Sequence, residues 1–271
     1  MKKWMIACTL FFFVAVAAVS YTRMQIVKPK TQAPSVCLKI GVERDYEPFA
    51  YVDASGKLTG FDVQLSYALC RRMNRVCTVE SKRFHNLLPA LQSGKLDLVV
   101  AGVGQTSERN RNFSFSQTYY RSRSFFITNN TIEQRIAIDN APQMIIGVQQ
   151  GSLQEKFIRE EYVPAGAKMV VFDTYSKMVE AINNSEINVI FTDGIPGYTL
   201  LNSPEGQKLN IGGRPKLELK EENVTSLTDA KIVARKEDAA LIEEVNAALH
   251  QMQTGGEYQE LHARFFPFVN F

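Results

Sequence analysis

The sequence predicts an α/β protein made of two similar units within one chain. Three observations predict it. Short apolar runs of strand length alternate with helical stripes, which is the grammar of βαβ units and a parallel sheet wrapped by helices. That grammar breaks at a polar connection after residue 128 and restarts at 144. Polar residues suited to gripping a ligand fall just after strands of both units, where open α/β sheets bind their ligands.

The elements follow in order. Residues 36–42 (Val-Cys-Leu-Lys-Ile-Gly-Val) read as a strand, and 49–52 as another, closed by the turn Asp-Ala-Ser-Gly-Lys at 53–57. A helix over 61–73 carries an apolar stripe at Phe61, Leu65, Leu69 and Met73. A strand at 77–80 precedes a helix at 84–92, with Pro89 expected in its early turns, where proline is tolerated. Next come a turn at Gly94, a buried strand over 96–100, a glycine-dotted loop and a helix with Arg109 just inside it. A strand at 124–128 leaves this unit. In the second unit, a strand at 144–148 leads through Gln149-Gln-Gly-Ser152 into a helix with Ser152 and Glu155 as a capping box. A strand at 169–172, a helix at 174–183 and a strand at 187–191 follow, the last ending at Thr192-Asp193. Pro196 fits the first turn of the next helix. A last strand at 231–234 precedes an amphipathic helix over 237–253 (Leu241, Val245, Leu249, Met252), stopped by Gly255-Gly256, and a final helix at 257–265.

Composition narrows the function. With 45% hydrophobic and 22% charged residues in 271, the chain is ordinary globular protein, long enough for two lobes. Lys2 and Lys3 precede an uncharged apolar run over 4–19, with small residues at 15–20: a positively charged start, an apolar stretch and a cleavage region. The run is short for a membrane span, which needs about 20 residues. Residues 1–20 therefore read as a secretory signal, with an uncleaved anchor as the alternative, and 21–35 as a polar, proline-containing spacer. Cys8 lies too early in the run to carry a lipid. Removing Lys2 and Lys3 lowers the net charge from +3 to +1. No basic stripe remains, so nucleic acid is not an expected partner. His85, His250 and His262 show no metal-ligand spacing, so neither a metal nor a cofactor is expected.

Export gives the cysteines meaning. Cys70 and Cys77 close a loop short enough to bridge, and either a disulfide or two buried thiols fits that spacing. Cys37 is left odd and reads as a buried thiol. Arg109, beside the free N–H groups opening its helix, is placed to grip a small carboxylate, with a surface ion pair to Glu108 as the alternative. Glu43, Gly102, Gly104, Gln149, Ser152 and Asp193 all fall at or after strand ends, and a cleft between lobes would bring them together.

At this point the chain resembles the extracytoplasmic solute-binding proteins of polar amino-acid ABC transporters, family 3. The resemblance rests on Gly-Phe-Asp-Val-Gln-Leu at 60–65, Ala-Leu-Gln-Ser-Gly-Lys-Leu-Asp at 90–97 and Thr-Ser-Glu-Arg at 106–109. Phe-Ser-Phe-Ser-Gln-Thr-Tyr-Tyr at 113–120 and Gly-Glu-Tyr-Gln-Glu-Leu-His-Ala-Arg-Phe-Phe at 256–266 complete it. It is most similar to the lysine/arginine/ornithine- and histidine-binding branch, which implies a Cys70–Cys77 disulfide. It implies a two-lobe periplasmic-binding-protein (Venus flytrap) fold with a hinge between lobes. Lobe 1 would comprise 36–121 plus 229–271, and lobe 2 would comprise 122–228.

The resemblance also implies roles. Arg109 would fork the ligand α-carboxylate and Asp193 would take its α-ammonium, although Asp193 also suits a helix N-cap. Tyr46 and Phe84 would sandwich the side chain, a placement worth about 1–2 kcal/mol for a desolvated cation. Glu43 would line the distal end. Ser152 and the N–H groups of its helix would approach the carboxylate from the second lobe, with Gln149 in reach of the side chain. This sequence departs from the pattern at Gly104, where relatives usually carry a hydroxyl, and at Leu153, where close relatives carry threonine. A lost charge-assisted bond costs about 1.5–3 kcal/mol. Glu43 in place of aspartate lengthens the acidic arm and favours a shorter ligand.

The function implied is extracytoplasmic capture of a polar amino acid, cationic ones included, by a periplasmic monomer that delivers it to an ABC-transporter permease. A membrane-anchored ligand sensor is one alternative. A periplasmic cyclohexadienyl dehydratase-like enzyme is another, but 193–197 (Asp-Gly-Ile-Pro-Gly) lacks the glutamate that activity would need. No catalytic residue is expected.

Overall fold

The structure, a computed structural model, describes residues 37–129, 136–215 and 229–267. The expected signal and spacer lie outside the described residues, as do parts of both expected lobes.

In chain order the first body opens with β1 (Leu38–Glu43), β2 (Tyr51–Val52), β3 (Leu58–Thr59) and α1 (Phe61–Arg72). It continues with β4 (Cys77–Lys82), α2 (Phe84–Gln92), β5 (Leu98–Val103), α3 (Ser107–Asn112) and β6 (Phe113–Arg121). The second body holds β7 (Phe125–Thr128), β8 (Ile145–Gln149), α4 (Leu153–Phe157), β9 (Lys168–Phe172) and α5 (Tyr175–Asn183). It ends with β10 (Val189–Thr192), α6 (Gly194–Leu201) and β11 (Asn210–Gly213). The chain then returns to the first body as β12 (Asp229–Arg235), α7 (Ala239–Thr254) and α8 (Glu257–Phe265).

Two five-stranded sheets result, ordered β4-β1-β5-β12-β6 and β11-β7-β10-β8-β9. Each is parallel only over its βαβ part. β12 pairs antiparallel with both β5 and β6, and β7 pairs antiparallel with β10 and β11. The expectation of a purely parallel sheet is corrected here. A strand returning from the other body enters with no crossover helix to reverse it, so it can lie antiparallel. β6 and β11 were not expected at all. β6 alternates aromatic and hydroxyl residues in its first half, and Ser116 turns inward to receive the Ile232 N–H at 2.9 Å.

Helix ends follow local chemistry. Thr106, Ser152 and Thr174 each accept the N–H three residues on, capping α3, α4 and α5. The expected Ser152/Glu155 box is modified: the Glu155 carboxylate returns to the Gly151 N–H at 2.7 Å, one residue earlier than the ideal pattern. Pro89 sits inside α2, in its second turn. The first body packs around Phe61, fully buried at the start of α1, whose ring meets Phe266 at 4.8 Å. Burying such a ring is worth about 1.5–3 kcal/mol. Cys70 at the end of α1 is disulfide-bonded to Cys77 at the start of β4. Cys37 is a free thiol and half-buried rather than buried, just ahead of β1.

Candidate ligand-binding site

The carboxyl ends of the parallel strands in both bodies meet at one cavity. Glu43 ends β1, Gly104 follows β5, Gln149 ends β8 and Asp193 follows β10. All nine sequence candidates line this cavity: Glu43, Tyr46, Phe84, Gly102, Gly104, Arg109, Gln149, Ser152 and Asp193. Ala101, Tyr120, Leu153, Gln154, Asp229 and Ala230 complete the wall.

Arg109 is set by its cap. The Thr106 Oγ1 accepts the Arg109 N–H at 3.1 Å and fixes the first turn of α3. The guanidinium then donates to the Gly104 carbonyl at 2.7 Å and, across the cleft, to the Gly151 carbonyl at 2.8 Å. Its hydrogen bonds thus go to backbone carbonyls, and Glu108, the alternative partner read from sequence, acts on it only as a nearby charge. Burial lowers its pKa to about 10, against a smaller opposing pull from Glu108, so it stays cationic at neutral pH.

Asp193 stands at the N-cap of α6; no N–H of that turn meets its side chain with hydrogen-bond geometry, and the Ile195 N–H donates to the Ser122 hydroxyl at 3.1 Å, although the Gly194 and Ile195 N–H groups lie near enough to favour the ionised carboxylate. The Asp193 Oδ1 is buried without a hydrogen-bond partner. Burial raises its pKa, while Ser122, the N–H groups of Ile195 and Gly194, and the Tyr120 hydroxyl counter the rise. A buried carboxylate oxygen left unpaired is costly, and a ligand ammonium is the kind of group that would satisfy it.

Glu43 is buried and accepts a hydrogen bond from the Gln149 amide of the opposite body. Desolvation pushes its pKa up to about 8; the Gln149 bond opposes this, and Asp62, Asp45 and Asp193 add to it. Tyr46 packs on Phe49 and, edge-on across the cleft, on Tyr175 at 5.3 Å. Arg83 and Asp173 form an ion pair at 2.9 Å between the two bodies.

Two candidates have their polar groups already engaged. The Gly102 N–H donates to the Tyr119 hydroxyl at 2.9 Å. The Ser152 hydroxyl donates to the Gln149 carbonyl at 2.7 Å and accepts the Glu155 N–H at 3.0 Å. The Tyr119 hydroxyl in turn donates to Asp62 at 2.9 Å, a side chain that is 1% exposed. Asp62 of the Gly-Phe-Asp run therefore braces the end of β5 at Gly102 through Tyr119 and does not line the cavity. Tyr120 was missed from sequence. It faces the cavity from β6, an element the pattern did not predict.

The fold is that of a two-lobe binding protein, with a cavity lined from both α/β bodies. The chain belongs to the bacterial extracellular solute-binding proteins, family 3, whose sequence profile matches residues 38–268. It is similar to the histidine-binding periplasmic protein of Escherichia coli strain K12, with 27% identity over 85% of this chain and 88% of that protein. It is 30% identical to ABC transporter arginine-binding protein 1 of the same strain, over 85% of this chain and 90% of the relative. Among solved structures it is similar to an ancestral arginine-binding protein bound to arginine. That match has a TM-score of 0.77 and 26% identity, and covers 85% of this chain and 98% of the other. Among the described residues no helix is long and apolar enough to cross a membrane.

Proposed function

We propose that the protein captures a polar amino acid in the periplasm as a monomer and delivers it to an ABC-transporter permease, with no chemistry of its own. The observation that carries this reading is the buried, unpartnered Oδ1 of Asp193 in a cavity that Arg109 also lines. One group suits an α-ammonium and the other an α-carboxylate, which together read the part common to amino acids. The names of the relatives support the same class. Under this reading lobe 1 comprises 36–121 with 229–271 and lobe 2 comprises 122–228. Tyr46 and Phe84 flank the side chain, and Glu43 with Gln149 faces its distal end. Gly102, Gly104 and Ser152 shape the carboxylate end.

The test is a thermal-shift screen of the ligand-stripped mature protein against the standard amino acids, ornithine and citrulline. Ligand at 1,000 times its Kd adds about 4 kcal/mol of stability. A large shift for a cationic or polar amino acid supports the reading, and a silent panel overturns it.

A further inference from the structure

Gly104 is the one glycine of the cavity wall whose need for glycine is set from the opposite lobe. Its φ lies outside the left-handed region, so its backbone would accept any residue. Gly102, by contrast, has a φ of 60° and favours glycine for its own conformation. A Cβ built on Gly104 would meet Leu153 and nothing else within 4 Å: it clashes with Cδ1 and lies 3.1 Å from Cγ. The Ser152 cap fixes the Leu153 backbone at the start of α4, and the Leu153 side chain is partly buried against the core of its own lobe. The leucine is a knob and the glycine its hole, one from each lobe.

The pair sits at the Arg109 end of the cavity. Gly104 offers its carbonyl to the guanidinium, and Gly151, two residues before Leu153, offers the other. The hydroxyl of Ser152 is spent on its helix cap. The Gln154 amide donates to Ser124 at 3.0 Å. The side chains around Arg109 thus supply an apolar methyl wall. A planar carboxylate has two oxygens, and one guanidinium can meet both. A tetrahedral anion carries a third oxygen, which would face the Leu153 methyls with no side-chain donor, a costly burial.

We infer that Leu153 and Gly104 form one specificity element, which seals the lobes over the ligand's anionic end and restricts that end to a carboxylate. This rests on the reading of the cavity as an amino-acid site. The experiment compares wild type, Gly104→Ser, Leu153→Ala and the double variant by calorimetry with L-arginine and L-glutamine. The α-aminophosphonate analogue of each ligand that binds is titrated in parallel, and solution scattering is recorded without ligand. Gly104→Ser is expected to weaken binding at least about tenfold, and the double variant to return to within about threefold of Leu153→Ala, since contacting residues couple. Wild type should reject the phosphonate, and Leu153→Ala should narrow that gap. Losses that simply multiply, or a phosphonate bound as well as the carboxylate by wild type, overturn the inference. If wild type binds neither amino acid, the functional reading is weakened, while scattering still decides the pair. A larger radius of gyration in Gly104→Ser, reversed in the double variant, supports it, and four equal radii overturn it.

Discussion

The Gln149 side-chain amide, at the end of β8, donates to the carboxyl of Glu43, at the end of β1, and so ties the two bodies across the wall of the cavity. Both side chains are buried. The tie joins a neutral donor to an acid whose burial pushes its pKa up to about 8, so at pH 7 the acid holds its proton.

That protonation makes a prediction with a definite sign. A cationic ligand head beside Glu43 favours the ionised form, so binding releases a proton and affinity rises as pH climbs toward 8. The slope approaches about tenfold per pH unit for one proton. A neutral ligand shows no such slope. Calorimetry in buffers of different ionisation enthalpy should therefore find proton release for lysine or arginine, and none in Glu43→Gln. The ligand-free protein behaves in a related way. The folded carboxyl titrates near 8 and the unfolded one near 4.5, so the folded state holds the extra proton between those values. Its contribution to stability is full below 4.5 and falls as pH rises to 8. Replacing Glu43 with glutamine should flatten the Tm profile across that window.

On the proposed reading, Arg109 serves both the lobes and the ligand. Arg109→Ala removes the carboxylate fork and leaves the Gly104 and Gly151 carbonyls without that donor. Truncating one side of a buried, hydrogen-bonded charge pair costs about 2–5 kcal/mol, so affinity should fall at least about thirtyfold. Arg109→Lys keeps the charge but not the planar fork, and should recover only part of it. Titration of both variants against the ligand found by thermal shift checks this. Unchanged affinity in the alanine variant would remove Arg109 from the site.

The site was more legible in the sequence than the sheets that hold it. Glu43, Gly104, Gln149 and Asp193 were found because each lies at or just after a parallel strand, and such strands point their carboxyl ends at one crevice. The helix over 257–265 is legible to the residue because Gly255-Gly256 and Pro267 mark its two ends, and that over 84–92 is closed by Ser93-Gly94. The strand Asn210–Gly213 was not legible. Its Asn-Ile-Gly-Gly has little strand preference, and it is extended because it pairs with β7. The glycine-dotted run 102–104 reads as loop, yet Gly102 belongs to β5, because strand pairing outweighs a glycine's local signal. The contact of Gly104 with Leu153 was beyond reach for another reason. It joins different lobes, and periodicity reports only neighbours along one element.

The disulfide closes a short loop between α1 and β4. In the chain-entropy account a loop of that length contributes about 2–3 kcal/mol. Substituting both Cys70 and Cys77 with serine should lower stability by about that amount in chemical denaturation and leave ligand affinity within about threefold, because neither residue lines the cavity. An affinity loss beyond that would mean the α1–β4 junction helps to set the site.

Asp193→Asn separates binding from stability. The wild-type carboxyl is buried, raised in pKa by desolvation, and carries one oxygen with no partner. A neutral amide of the same shape avoids burying a charge, so the ligand-free variant should be at least as stable as wild type at pH 7. A ligand ammonium facing that amide loses its counter-charge, and affinity should drop at least about tenfold, the size of one weakened charge-assisted hydrogen bond. A helix cap would behave differently: asparagine caps a helix as well as aspartate does, so both Tm and affinity would hold. Titration of this single variant, with denaturation as the check on folding, therefore distinguishes the two roles. Affinity unchanged would return Asp193 to the helix, and affinity lost while Tm holds would assign it to the ammonium.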